Sequence, residues 1–332
     1  MSKTLKEIGK ELNISRFTIS RVLNGSKDVS EETRKKILQY LKDNPYYPNA
    51  NANRLYSGKV NVIGLIFTGK ASVIFESYVQ QIIEGVSEVT RKKDFYLMLF
   101  MQDELDYKEC YSLYMSKQVG GFILPGVDRK KHAGIKCLVK EKIPLAIVCS
   151  RLDNICSFDC DNVRGGYLAT KHLIKKGRKR IAYLHGHKGW VDAEDRFEGY
   201  KKALKEEKMK LNIDYVKYNY GTRDSGFEEK ATRELLKLKE RPDAIFTATD
   251  NMALVVMKTL KKAKIEIPDD IALVGFDDIP LTQAVSPALT TIRQPIGQMA
   301  KEATLNVIKQ IDNKKAKGVT FFKPELIVRE SS

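Results

Sequence analysis

Residues Thr4–Asn24 read TLKEIGKELNISRFTISRVLN, and the rest of the chain is organised around them. The spacing predicts two short helices joined by a tight turn. Thr4 is placed to cap the first helix, and Glu7 three residues on completes a capping box. Leu5, Ile8 and Leu12 recur at helical spacing and share one apolar face. Asn13 falls where the chain must reverse, and asparagine tolerates the left-handed conformation better than most residues. Ser15 is a natural cap for the second helix, whose buried stripe is expected to be Ile19, Val22 and Leu23. Arg16, Phe17, Ser20, Arg21 and Asn24 then face outward. Such a face suits a DNA major groove: arginine pairs with guanine through two hydrogen bonds, hydroxyls and amides reach phosphates, and an aromatic touches a thymine methyl. A plain helical hairpin with a solvated face is the alternative.

Working outward, Gly25 closes the second helix and Ser30 caps a third, in which Ile37, Leu38 and Leu41 supply the apolar face of a three-helix headpiece. Asn44-Pro45 ends it, because a residue before proline avoids the helical region. The segment NANANRLYSG, residues 49–58, is too polar for a core helix and too short to be stable alone.

Charge agrees with an anionic partner without proving one. The 332 residues carry a formal charge of +16. Residues 1–59 hold 12 Lys/Arg against 6 Asp/Glu. The remaining +10 is spread over the rest of the chain as a lysine-rich surface. The five cysteines form no CxxC pair and have no histidine nearby to complete a zinc set, so no metal site is expected. The chain opens on a polar helix and has no apolar run of membrane-spanning length, which predicts a cytoplasmic protein with reduced thiols and no membrane partner.

From Asn61 the period changes. The apolar runs VIGLIF, FYLMLF, GGFILP, IPLAIVC, RIAYLH, AIFTAT and IALVGF alternate with helical segments, as buried parallel strands do in a doubly wound α/β architecture. No GxGxxG or GxxxxGK[ST] loop is present, so no nucleotide cofactor is implied. Gly120-Gly121 and Gly165-Gly166 read as turn and helix-packing glycines. Catalysis lacks a constellation. His132, His172, His185 and His187 are the only histidines, and no serine occupies a GxSxG elbow. His185-x-His187 would place both rings on one face of a strand, yet lacks a third ligand.

The stretches TLKEIGKELNISRFTISRVLNG, VSEETRKKI and YYPNANANRL resemble the lac-repressor (LacI/GalR) family of bacterial transcription regulators. So do IPLAIVCSRLD, DCDNVRGGYLATKHLIKKGRKRIAYLHG, DRFEGYKKAL, TATDNMALVVMKTL and IALVGFDDIPLTQAVSPALTTIRQP, in order, to about Glu330. The resemblance implies a headpiece over 1–47, a hinge helix and linker over 48–60, and a periplasmic-binding-protein-like core over 61–330. That core would comprise an N-subdomain (61–160 with about 290–318) and a C-subdomain (161–289 with about 319–330). It further implies a homodimeric regulator, a repressor of a sugar uptake or catabolic operon, bound to a roughly palindromic operator and controlled by a sugar or sugar derivative in the cleft. It is not expected to be an enzyme or to carry a cofactor.

By the same resemblance Thr4, Ser15, Arg16, Phe17, Thr18, Ser20, Arg21 and Asn24 contact DNA, joined by Tyr46, Asn49, Ala52, Asn53 and Leu55. Leu55 would be the wedge between base pairs in the minor groove. Asn13 replaces the family's usual turn glycine, and Asn53 stands where many members carry arginine. For the effector, Arg196 in DRFEGY matches the cleft arginine and Asp277, first acid of GFDD, matches an acid that accepts from the ligand; Asp278 reads as structural. Thr249 aligns with a cleft-facing position, while Asp250 either joins it or holds the loop. Phe75 is either a cleft aromatic or a packed core residue. Arg151 and Cys149 belong to the same set, although Cys149 occupies a position where many sugar-binding members have aspartate. Gly221 replaces a stacking aromatic, with Tyr220 and Trp190 near enough to take its place.

Overall fold

The computed structural model describes residues 3–23, 26, 28–44, 60–68, 77–126, 133–219, 226–314 and 318–332. The chain divides into two compact units, Met1–Lys59 and Val60–Ser332.

In the first unit, helices α1 (Leu5–Leu12), α2 (Arg16–Leu23) and α3 (Glu31–Asp43) close around Ile8, Leu12, Ile19, Val22, Val29 and Ile37. The local signals are in place. Thr4 and Glu7 form both halves of the capping box, and Asn13 ends α1 in the left-handed region at φ 56°. Ser15 Oγ accepts from the Thr18 amide at 3.1 Å. Ser30 caps α3 through the Thr33 amide. Two residues depart from expectation: Leu23 is 39% and Leu38 50% exposed. Each follows a buried residue (Val22, Ile37) on its helix, and with 3.6 residues per turn the next side chain points about 100° away, off the buried stripe.

The second unit contains two parallel sheets. Strands β1 (Val62–Thr68), β2 (Tyr96–Gln102), β3 (Gly121–Pro125), β4 (Leu145–Val148) and β5 (Ser157–Cys160) belong to the first. Strands β6 (Ile181–His187), β7 (Val216–Asn219), β8 (Ala244–Thr247) and β9 (Ala272–Val274) make the second, in the order β7-β6-β8-β9. Then come β10 (Thr291–Arg293), β11 (Val319–Phe322) and β12 (Glu325–Ile327). The first sheet runs β11-β5-β4-β3-β1-β2, all parallel.

Successive side chains on a strand point to opposite faces. Ile63, Leu65 and Phe67 of β1 therefore enter one core with Ile123, Ala146 and Val148, while Val62 and Ile66 enter another with Phe122, Leu124 and Ile147. Helices α4 (Ser77–Lys92), α5 (Tyr107–Met115) and α6 (Ala133–Lys140) cover these faces. In the second lobe lie α7 (Asn162–Lys175), α8 (Val191–Glu206), α9 (Phe227–Leu236), α10 (Asp250–Lys262) and the short α11 (Leu281–Ala284). Helix α12 (Ile296–Ile311) returns to the first lobe, where Met299, Ala300, Ala303 and Val307 join the core that holds α4.

Two expectations need correction. The run FYLMLF is not a buried strand: β2 lies at the sheet edge with one neighbour, and Tyr96, Met98, Leu99 and Met101 are 64, 37, 41 and 37% exposed. Residues 319–330 also do not all join the second lobe. Val319–Phe322 pairs in parallel with Ser157–Cys160 of the first sheet, and only afterwards does the chain cross over, where β12 pairs with β10 and Ser331 bonds both ways with Leu273. Likewise Thr290 and Arg293 bridge to Val274 and Asp277 of the second lobe before α12 begins.

Candidate functional site

The outward face of α2 presents Arg16, Phe17 and Arg21 exposed, with Thr18 and Ser20 half-buried. The Arg16 guanidinium sits 5.0 Å from the centre of the Phe17 ring, a cation–π contact that orders both at the helix start. Ser15 Oγ lies 2.9 Å from Thr18 Oγ1, so these two hydroxyls serve the helix cap. Thr4 is likewise held by Glu7. Asn24, Tyr46, Asn49, Ala52, Asn53 and Leu55 fall outside the described residues.

In the second unit a cavity of about 390 Å³ opens between the two lobes. It is built where parallel strands end, the position at which open α/β sheets leave a crevice at their carboxyl edge. Gly126 follows β3, Cys149 follows β4, His187 and Asn219 end β6 and β7, Thr249 follows β8, and Asp277 lies just past β9. Trp190, Asp192 and Arg196 line it from α8, Ser77 and Tyr78 from the start of α4, and Gln294 from the crossover.

Arg196 is 4% exposed. Its Nε donates to Asn162 Oδ1 at 2.9 Å and its Nη1 to the Ala248 carbonyl at 2.6 Å. The guanidinium lies 3.9 Å over the Phe276 ring and is flanked by Asp192 at 3.4 Å and Asp277 at 3.9 Å. Asp277 adopts φ 128°, a region hostile to residues with a Cβ, and Gln294 Nε2 donates to its Oδ1 at 2.7 Å. Burial pushes its carboxyl up to about 7, opposed by Arg196 and reinforced by the Asp250 charge. Asp278 faces away. Burial would raise it, but Arg329 at 2.6 Å and Arg293 at 2.7 Å hold it below the usual carboxylate range.

Cys149 lines the cavity at φ 58°, and desolvation pushes its thiol well above the ordinary value. Thr249 lines it while capping α10 through the Met252 amide. Trp190 stands at the first turn of α8 and reaches across to the other lobe, its ring 3.6 Å from where a Cβ on Gly126 would lie.

Two expected cleft residues lie elsewhere. Asp250 is fully buried and ties the loop instead, accepting from Thr291 Oγ1 at 2.5 Å and the Ile279 amide at 3.0 Å; burial lifts it to about 6. Arg151 does not line the cavity. Its guanidinium is committed to Asp159 and Asp195, because two carboxylates desolvated nearby outcompete an open cleft for it. Phe75 and Tyr220 lie outside the described residues. The His185/His187 pair is also split. His187 lines the cleft, whereas His185 is buried among Tyr183, Phe197 and Tyr218, and the pairing of β6 with β7 shifts register between Leu184 and His187. Asn219, Asp192 and Gln294 were not anticipated. Asn219 was missed because VKYN is too short and polar to read as a strand, although its place at a strand terminus is the signal that would have found it.

Among the described residues no group of three metal-ligating side chains occurs, and no helix is long and apolar enough to cross a membrane.

A capped helix-turn-helix headpiece preceding a two-lobed, periplasmic-binding-protein-like core defines the class of this molecule. Residues 4–49 match the profile described as bacterial regulatory proteins, lacI family, and residues 170–332 match the periplasmic binding protein-like domain. The chain is 30% identical to the HTH-type transcriptional repressor PurR of Vibrio vulnificus, over 99% of this chain and 98% of that protein. It is also 30% identical to the ribose operon repressor of Haemophilus influenzae over the same shares. Among solved structures, the lac repressor dimer bound to operator and the anti-inducer ONPF superposes with a TM-score of 0.85 at 22% identity, covering 100% of this chain and 99% of that one. A CelR–cellobiose complex gives 0.76 at 26% identity, covering 99% and 100%. The chain belongs to the lacI family of bacterial regulatory proteins, a family of DNA-binding regulators and not of enzymes.

Proposed function

We propose that this protein is a cytoplasmic, homodimeric, sequence-specific transcriptional repressor of a sugar uptake or catabolic operon, switched by a small effector bound between its subdomains. The observation that carries this reading is the coexistence in one chain of an exposed basic–aromatic helix start, Arg16-Phe17, and a cleft floored by Arg196 and Asp277. The cleft offers a carboxylate, a guanidinium, carboxamides, hydroxyls and an indole. That mixture recognises a polyhydroxylated ligand, whose hydroxyls both donate and accept while its apolar ring face packs on an aromatic. The exposed apolar edge of β2 supports dimerisation, since an unpaired hydrophobic edge is an aggregation hazard unless a partner covers it. Two-fold symmetry then places two copies of α2 on the half-sites of a roughly palindromic operator. The hinge role given to Asn49–Leu55, with Leu55 as wedge, belongs to the same reading.

The test is selection of preferred DNA from a random pool, repeated with a panel of sugars and phosphosugars. A palindrome whose retention changes with one ligand is the expected result. A palindrome indifferent to every ligand would remove the sugar effector. No enrichment at low salt, where electrostatic binding is strongest, would remove the regulator itself.

A further inference from the structure

Arg151 bridges the two lobes. It follows β4 in the first lobe and reaches Asp195 on α8 of the second with a two-pronged fork, Nη1 to Oδ2 at 2.6 Å and Nη2 to Oδ1 at 3.0 Å. Its Nη1 also meets Asp159 Oδ2 at 2.9 Å, on β5 of its own lobe. Phe321 of β11, on a third pass of the chain, lies with its ring centre 5.4 Å from the guanidinium, a cation–π contact. The Asp159 side chain is 1% exposed, while Arg151 and Asp195 are 20% and 18% exposed.

The network continues to the cleft. Asp159 Oδ1 accepts from Asn162 Nδ2 at 3.3 Å, and Asn162 Oδ1 accepts from Arg196 Nε at 2.9 Å. Asp195 and Arg196 are consecutive on α8, so one helix turn carries the clamp on one side and the ligand arginine on the other. A half-buried, bidentate pair with a second, fully buried carboxylate behind it is geometrically demanding, and it favours one placement of its two elements.

We propose that Arg151 is a positioning residue for the effector cleft: with Asp195 it clamps the two lobes at the spacing seen here, and it holds Arg196 from behind through Asp159 and Asn162. The proposal rests on the cleft being the effector site, but its test requires neither effector nor DNA. Trp190 is the only tryptophan, lines the cleft, and leads into α8 five residues before Asp195. Its ring lies against Gly126 of the opposite lobe, so its emission reports the gap between lobes.

The experiment is acrylamide quenching of Trp190 in the full-length protein, comparing wild type with Asp195→Asn, Arg151→Met and the double variant. Release of the clamp opens the cleft, and each single variant should raise the quenching constant by about twofold, with no further rise in the double variant. Arg151→Met strands the buried Asp159 and can fail to fold; Asp195→Asn leaves Arg151 paired with Asp159 and carries the test by itself. Unchanged quenching in Asp195→Asn overturns the proposal, as does a lowered melting temperature with unchanged quenching, which would make the pair a structural tie only. Failure to find an operator would leave this outcome untouched.

Discussion

The guanidinium of Arg196 stops 3.9 Å short of the Asp277 carboxylate, too far for a hydrogen bond, while its own donors go to Asn162 and Ala248. The gap leaves the acid able to accept from a ligand and the arginine able to donate to it. Removing either should therefore be felt in the fold and in binding, in different proportion.

Arg196→Met strips the counter-charge from Asp192 and Asp277 and orphans two buried acceptors. Loss of one partner of a buried charged network costs about 3–5 kcal/mol, which urea unfolding would read. A cost below about 1 kcal/mol would mean that the acids are satisfied without it.

Asp277 gives a pH signature. Burial raises its folded pKa to about 7 from an ordinary 3.8, so between those values the unfolded chain releases a proton that the folded chain retains. The stability this group contributes is thus fully present below pH 3.8 and is lost as pH rises through 7. Asp277→Asn should flatten that decline and raise the melting temperature at pH 8, while weakening effector binding. Some slope should persist, because Asp250 and Asp159 are also lifted to about 6 by burial. An unaltered pH profile would mean that Asp277 titrates normally.

Helices α7 and α8 cross at two glycines. A Cβ on Gly199 would lie 2.1 Å from the Val163 carbonyl, and one on Gly166 would lie 2.1 Å from that of Arg196. Both obstacles are backbone and cannot swing aside. Gly199→Ala should destabilise the core by about 1–3 kcal/mol or more by denaturant unfolding, and should displace Arg196, one helix turn earlier.

In the headpiece, Ser15→Ala removes the acceptor for the Thr18 amide and should cost about 1 kcal/mol of stability. Thermal melting of the full chain, following the headpiece transition, measures it.

Arg16→Ala addresses DNA choice. If Arg16 reads a base, specific affinity falls by about 1–3 kcal/mol while binding to random DNA is nearly kept. Equal weakening on both would make it a phosphate contact.

Much of this molecule is local, and local features are legible in sequence. Thr4 and Glu7, Asn13, and Ser15 act within four residues of themselves, so caps and turn follow from residue type and spacing alone. The alternating faces of β1 and β3 follow from strand geometry in the same way. Arg196, Asp277, Thr249 and Trp190 were found through family resemblance, and the structure brings them together at the cavity.

What the chain could not disclose by itself is which elements become neighbours. FYLMLF has the composition of a buried strand, and only its place at the end of the order β11-β5-β4-β3-β1-β2 leaves its apolar side chains exposed. Val319–Phe322 belongs to the first sheet because it finds the free edge of β5, more than 150 residues away in sequence. Arg151 and Asp250 carry the charges a ligand site needs, yet tertiary packing gives them closer partners: Asp159 and Asp195 for one, Thr291 and the Ile279 amide for the other. Sequence determines helices, caps and the face a side chain takes, because those depend on backbone geometry over a few residues. The use of a charge is decided by tertiary structure, because desolvation and Coulomb attraction depend on which distant groups the fold brings within about 4 Å.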